Sequence, residues 1–419
     1  MYVTENVHLF CPGDSINANL PNPSALTFRQ PVRGQSCHSC AIIYNTLFFC
    51  TLHWIFHLNA VKKLYIPVNL LYIHYLCGAK KTNIMRAAIY GAGSLGTILG
   101  AFISKKGGQI DLINHNEKHV EALRKSGAHV TGTMDFIQKV NALTDKEMTG
   151  LYDIIFLMTK QQGNIDTVNF LKGFLAEDGV IVTLQNGLPE PQIAEIVGER
   201  RVLGCTVAWG ATMTGPGVCE LTSSPDSLTF SLGSIYKERG HHFEDVKSML
   251  EMMGPVEVDE NFIGTRWSKL LINASFSGMS AVLGCTFGEA AKDKESRRIV
   301  QKLIKECIDV CAASGIRIEP IQGKDVVRLL DYHNAFKKAI SFFIIPIAIR
   351  KHARLKASML QDIERGKKTE VDSINGAVCA QGRKAGVPTP CNDKVVEIIH
   401  GIENGELKAS WDNLRFFIG

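Results

Sequence analysis

The chain has 419 residues, 45% of them hydrophobic and 21% charged, enough for two domains with substantial cores. Residues 1–84 hold six Lys or Arg and two acids, so +4 of the formal net charge of +5 lies there and only +1 remains for 85–419. A nearly neutral body excludes nucleic-acid binding that rests on bulk charge.

The leader also carries five of the 12 cysteines. Cys37-x2-Cys40-x12-His53-x3-His57 has zinc-finger spacing, with Tyr44 at the usual aromatic position. Against a finger, Ala41–Leu58 is mostly apolar and puts Cys50 where a core leucine belongs. No Lys or Arg between Cys40 and His57 is there to grip phosphate, so no metal is expected. Ala41–Leu58 and Leu64–Ala79 are interrupted by Asn45, His53, His57, Pro67, Asn69 and His74. Neither is a clean span of about 20 apolar residues, and the N-terminus is not built like a signal peptide. Residues 1–84 are expected to be a leader that is disordered or no part of the native protein, with Met85 the working start.

From Met85 the pattern changes. Arg86–Tyr90 reads as a short buried strand, Gly91-x-Gly93-x-x-Gly96 follows at once, and Thr97–Lys106 continues as an apolar helix. The first glycine permits a sharp turn, the second a close approach to a pyrophosphate, and the third helix-on-strand packing. Ser94, Leu95 and Gly96 open the helix whose free N–H groups face the phosphates. Gln109–Ile113 is a second strand and Glu117–Ser126 a helix. Asp153–Met158 and Gly179–Leu184 are buried strands around a helix at Asn164–Phe174, the βαβ alternation of a doubly wound sheet. Further strands are expected near Val202–Ala208, Gly217–Leu221 and Leu228–Leu232.

Beyond about residue 260 strand signals nearly vanish. Arg266–Val282, Glu295–Ala313, Lys324–Tyr332 and Ser373–Lys384 carry helical periodicity. The expected fold is α/β: a Rossmann-type dinucleotide-binding domain at 85–255, then an all-α domain at 256–419, with a small substrate in the cleft between them. The seven body cysteines are scattered, as reduced thiols of a cytosolic protein would be.

The second strand ends Ile113-Asn114-His115-Asn116, with no carboxylate before Glu117. An acid there would bond a ribose 2′-hydroxyl and repel a 2′-phosphate. Its absence favours NADP, with Asn114 and His115 as hydrogen-bond donors and Lys118 as a cation, although Lys118 also reads as a solvated helix residue. In Trp267–Ser277, Lys269, Asn273 and Ser277 recur every four residues amid apolar neighbours. That stripe reads equally as an exposed helix face or as a desolvated lysine suited to acid–base work. In the polar run 358–376, Glu370 offers a partner for Lys269 and Ser358 a donor to a carboxylate, while composition alone also places both at the surface.

These residues resemble the ketopantoate reductase (2-dehydropantoate 2-reductase) family over essentially all of 85–419. The motifs are Gly91–Gly96, Thr159-Lys160, Leu184-Gln-Asn186-Gly187, Trp267-Ser-Lys269-Leu-x-x-Asn273, Ser358-Met-x-Gln-Asp362 and Thr369–Gly376. The resemblance implies reduction of ketopantoate by NADPH in the cytoplasm for coenzyme A synthesis, without a metal. It implies that Lys269 is the general acid, and that Glu370 orients it or binds the substrate hydroxyl. Asn273 and Ser358 would hold the substrate, and Asn186 and Lys160 would lie at the nicotinamide end. Ser277 stands where the best-known members have asparagine, and Gly278-Met-Ser-Ala replaces Pro-Leu-Thr-Ala. This admits a related branched 2-oxo acid as the substrate. A silent NADP-binding regulator would have no need of Lys269, Asn273 and Glu370 together. The helical domain offers a surface for a homodimer.

Overall fold

The computed structural model describes residues 10–11, 14–15, 85–321 and 323–417. The chain separates into two units, Met1–Thr82 and Asn83–Gly419. In the first, Phe10–Cys11 pairs antiparallel with Asp14–Ser15. Cys37, Cys40, His53, His57 and both apolar stretches of the leader lie outside the described residues.

The second unit begins with an eight-stranded sheet. Its order is Asn141–Leu143, Asp111–Ile113, Ala87–Tyr90, Tyr152–Leu157, Leu175–Thr183, Val202–Val207, Phe230–Gly233 and Val256–Asp259. The first six are mutually parallel, and Phe230–Gly233 runs antiparallel to Val202–Val207. Continuous apolar strands suit a sheet covered on both faces. Ile89, Ile154 and Phe156 point to one side, under the helices Ser94–Lys105 and Phe243–Glu251. Ala88, Ile155 and Leu157 point to the other, under Asn164–Lys172 and Glu190–Val197. Strand order reverses between Ala87–Tyr90 and Tyr152–Leu157, which opens a crevice at their carboxyl ends.

Two strands extend the picture drawn from the sequence. The strand near Gly217–Leu221 runs Val218–Leu221 and belongs to a separate four-stranded sheet with Ala211–Gly215, Ala128–Gly132 and Phe136–Gln138. Val130, Cys219 and Leu221 pack it into the same core as the glycine-loop helix. The main sheet also takes in Val256–Asp259, so the nucleotide half passes the boundary expected at 255. Four residues alternating Val and acid are too short an edge strand to stand out in the sequence.

The helical half packs around Lys294–Ala313, with Trp267, Leu270, Ile374 and Ile398 in its core. The helix expected at Arg266–Val282 runs Phe262–Ile272, continues as a π-helical turn over Asn273–Ser277, and resumes as Gly278–Leu283. Gly278 N–H reaches back to Asn273 O, the five-residue closure of a π turn. The wider turn leaves Ser277 short of the face that regular four-residue spacing assigns it. Among the described residues no helix is long and apolar enough to cross a membrane.

Candidate active site

The glycine loop is built as a cradle. Gly91 sits at φ +95°, where a Cβ would come within 2.8 Å of the Met158–Thr159 backbone. Its N–H and that of Ala92 donate to Ile113 O at 3.0 and 2.9 Å, fixing the loop across two strands. A Cβ on Gly96 would crowd Gly91 O at 2.8 Å, whereas one on Gly93 would meet nothing nearer than 3.9 Å. Two glycines therefore close the turn and the middle one leaves a gap. The helix Ser94–Lys105 has no side-chain cap, so the Ser94, Leu95 and Gly96 N–H groups are the free donors of its first turn. This cradle fits a dinucleotide pyrophosphate.

Asn114 behaves differently from the expectation. Its Nδ2 donates to Ala92 O at 2.8 Å and its Oδ1 accepts from Asn116 N–H at 2.8 Å, so it braces the glycine loop from below. Beyond the second strand His115 and Lys118 are both exposed. Glu117, the nearest carboxylate, turns to Lys146 at 3.6 Å. Thr97 Oγ1 also donates to Ala92 O, at 3.0 Å, and lies 3.1 Å from His119 Nε2. His119 Nδ1 accepts from Gly217 N–H at 3.0 Å. The ring is therefore neutral with its proton on Nε2, and burial lowers its proton affinity.

Across the crevice, Lys269 is half-buried and its Nζ donates to Val207 O at 3.2 Å. Burial, and then the positive field of Arg266, pull its pKa down to about 8, against the opposing pull of Glu370. Cys205 is a thiol, its pKa pushed up to about 12 by burial. Glu370 is buried, and desolvation raises its proton affinity. The expected Lys269–Glu370 ion pair does not form. Glu370 instead accepts from Asn186 Nδ2 at 3.3 Å and reaches Lys269 through its field. Among the described residues the lysine has no direct counterion and is anchored to a backbone carbonyl.

The two halves are joined around this point. Gly187 lies at φ +76°, and a Cβ there would collide with Ser373 O. Lys160 Nζ stands 2.6 Å from Asp362 Oδ2. Gln161 Nε2 donates to Asn186 O, and Gln162 Nε2 to Thr369 O. Glu403 holds Thr369 by its N–H and its hydroxyl, both at 2.7 Å, which fixes the residue before Glu370. Lys269, Glu370, Asn186 and Lys160 thus gather at one seam. Asn273 is half-buried and Ser277 buried on the π turn that continues the Lys269 helix. Ser358 is not drawn in: it is exposed at the start of Ser358–Glu364 and its side chain makes no hydrogen bond among the described residues.

Sequence reading missed Arg266 and Glu190. The Arg266 guanidinium is fully buried, with Nε 2.6 Å from Glu190 Oε1, Nη1 2.7 Å from Gln185 O and Nη2 3.0 Å from Thr183 O. An arginine one turn before Lys269 on an apolar helix was the available sign. Gln185 was missed too. Its Nε2 donates to Thr159 O and to Asn164 Oδ1, both at 3.0 Å, and ties the strand ends together.

A family model described as ketopantoate reductase PanE/ApbA matches residues 87–234, and its C-terminal counterpart matches 261–403. The 2-dehydropantoate 2-reductase of Streptococcus pyogenes serotype M1 is 27% identical over 321 residues, 76% of this chain and 98% of that protein. That of Pyrococcus horikoshii is 28% identical over 311 residues, 74% of this chain and 94% of its own. Among solved structures, D-mandelate dehydrogenase with NADH and anilino(oxo)acetate aligns with a TM-score of 0.66 at 23% identity, covering 77% of this chain and 99% of that one. A PanE/ApbA family ketopantoate reductase from Ralstonia eutropha JMP134 aligns with a TM-score of 0.65 at 23% identity and the same coverage. At that identity the structures speak for the fold alone. The two family models span both halves of the folded body, and the chain belongs to the ketopantoate reductase family.

Proposed function

We propose that this protein is an NADPH-dependent reductase of 2-dehydropantoate, giving (R)-pantoate for coenzyme A synthesis in the cytoplasm. The observation that carries the reading is Lys269, a half-buried cation with no direct counterion among the described residues, its pKa drawn down to about 8 at the seam it shares with Glu370. Gly91, Gly93, Ser94, Leu95 and Gly96 would hold the pyrophosphate, His115 and Lys118 the 2′-phosphate, and Asn186 and Lys160 the nicotinamide end. A bound reduced nicotinamide supplies the hydride that a 2-oxo acid needs.

Lys269 supplies the proton. Reduction of a ketone leaves charge on its oxygen, and an ammonium of lowered pKa both stabilises that charge and neutralises it. Glu370, held through Asn186, keeps the ammonium protonated and faces the substrate hydroxyl. Asn273, Ser277 and Ser358 grip the remainder of the substrate, with Ser358 closing onto the carboxylate.

A second reading, another branched 2-oxo acid, rests on Ser277, whose short side chain reaches only a close partner. The test is loss of reduced-nicotinamide absorbance by the full-length protein given ketopantoate. Turnover faster with NADPH than with NADH is the expected result. A folded protein that binds NADPH but leaves ketopantoate untouched would move the assignment to another oxo acid.

A further inference from the structure

The helical half encloses an apolar recess of about 290 Å³ that none of the candidate active-site residues lines. Its inner wall is made by Phe276, Leu330, Ile345 and Ile349, all buried. Protein interiors leave few voids larger than a water molecule, so a recess this size is more than imperfect packing. It lies just under the usual range of small-ligand pockets.

The mouth is cationic. Lys324, Arg350, Lys351 and His352 line it, and no carboxylate does. Among the described residues none of these four has an ion-pair partner. The bias extends along the chain, because no Asp or Glu occurs between Asp331 and Asp362. A wall of apolar side chains recognises hydrocarbon, and three cations beside a histidine hydrogen-bond donor at the entrance recognise an anion.

We propose that this recess binds the hydrocarbon chain of a soluble anionic amphiphile, its carboxylate or phosphate head held at the mouth by Lys324, Arg350, Lys351 and His352. The wall belongs to buried side chains around a hollow, which suits a single chain entering from solvent. Phe336 and Phe343, exposed on the helix Ala335–Ala348 that carries Ile345 of the wall, make an anionic bilayer the competing occupant.

The experiment is calorimetric titration of the full-length protein with alkyl carboxylates from hexanoate to dodecanoate, each below its micelle concentration. Affinity should rise about fourfold per added methylene until the recess is full, then level off. Decyltrimethylammonium should bind about tenfold or more weakly than decanoate. The exposed double variant Arg350→Glu/Lys351→Glu should lose about tenfold in decanoate affinity with unchanged melting. Ile347→Asp, at an exposed position of the rim, should also weaken binding. Absence of saturable binding, equal affinity for the cationic amphiphile, or indifference to charge reversal would overturn the proposal. So would sedimentation with phosphatidylglycerol vesicles in the absence of decanoate binding, which would reassign the patch to a lipid surface. Heat of binding is read without turnover, so the outcome is independent of the reductase assignment.

Discussion

Lys160 and Asp362 meet at 2.6 Å from opposite halves of the molecule, the first just past a strand of the nucleotide sheet and the second on a short helix near Glu370. The lysine is 38% exposed and the aspartate 13%, so solvent screens the pair and its worth is modest. A double-mutant cycle with Lys160→Met and Asp362→Asn should give a coupling of about 0.5–1 kcal/mol in denaturant unfolding. A larger effect on KM for the cofactor than on stability would show that the pair sets how the halves approach. Coupling of zero with unchanged KM would make it incidental.

Lys269 gives the sharpest kinetic expectation. Its pKa of about 8 leaves it protonated at neutral pH, so turnover should fall as pH rises through that value. Lys269→Ala should lose about 10²–10⁴ in kcat together with that alkaline limb. Near-normal turnover with the limb intact would remove it from the chemistry.

Arg266 and Glu190 form a buried pair, and breaking one side exposes the other. Arg266→Met should cost about 3–5 kcal/mol, because the Glu190 carboxylate is left uncompensated. Arg266→Met/Glu190→Met should recover much of that loss in thermal denaturation. In the surviving double variant the Lys269 alkaline limb should move upward, since the field of Arg266 helps hold it down. An unmoved limb would refute that electrostatic link.

Lys118 is the test of cofactor choice. It is exposed in the first turn of Glu117–Ser126, and its reversal to Lys118→Glu should lower kcat/KM for NADPH while leaving NADH nearly unaffected. Equal loss with both cofactors would assign discrimination elsewhere.

His119 predicts a stability profile. Burial lowers its folded pKa below the ordinary value of 6.5, so the unfolded chain takes up the proton first. Stability should therefore fall as pH drops below about 6.5 and be fully present above it. Urea midpoints from pH 7 to 5 should show a smaller decline in His119→Gln than in the wild type.

The main sheet was legible because Ile154–Leu157 and its neighbours are apolar on both faces, and the glycine loop because its three glycines have separate steric duties. Lys269 stood out as a cation among leucines. Its partner did not, because Val207 O is a backbone atom without a side-chain signature. Arg266 and Glu190 lie 76 residues apart, and no local pattern links them. The π turn was hidden by the very four-residue spacing that drew attention to Lys269, Asn273 and Ser277. Asn114 was assigned outward to a phosphate when the loop above it needed a brace.

One short loop, Gln185–Glu190, touches the helical half four times: Gln185 O and Glu190 at Arg266, Asn186 at Glu370, and Gly187 at Ser373. Lys269, one turn beyond Arg266, and Glu370 are therefore indexed to the same ruler. Asn273, Ser277 and Ser358 make no hydrogen bond to that loop among the described residues. Under the proposed assignment, selection can reshape those three to admit a different oxo acid while Lys269 stays where it was, so substrate range and reaction are free to evolve on separate clocks.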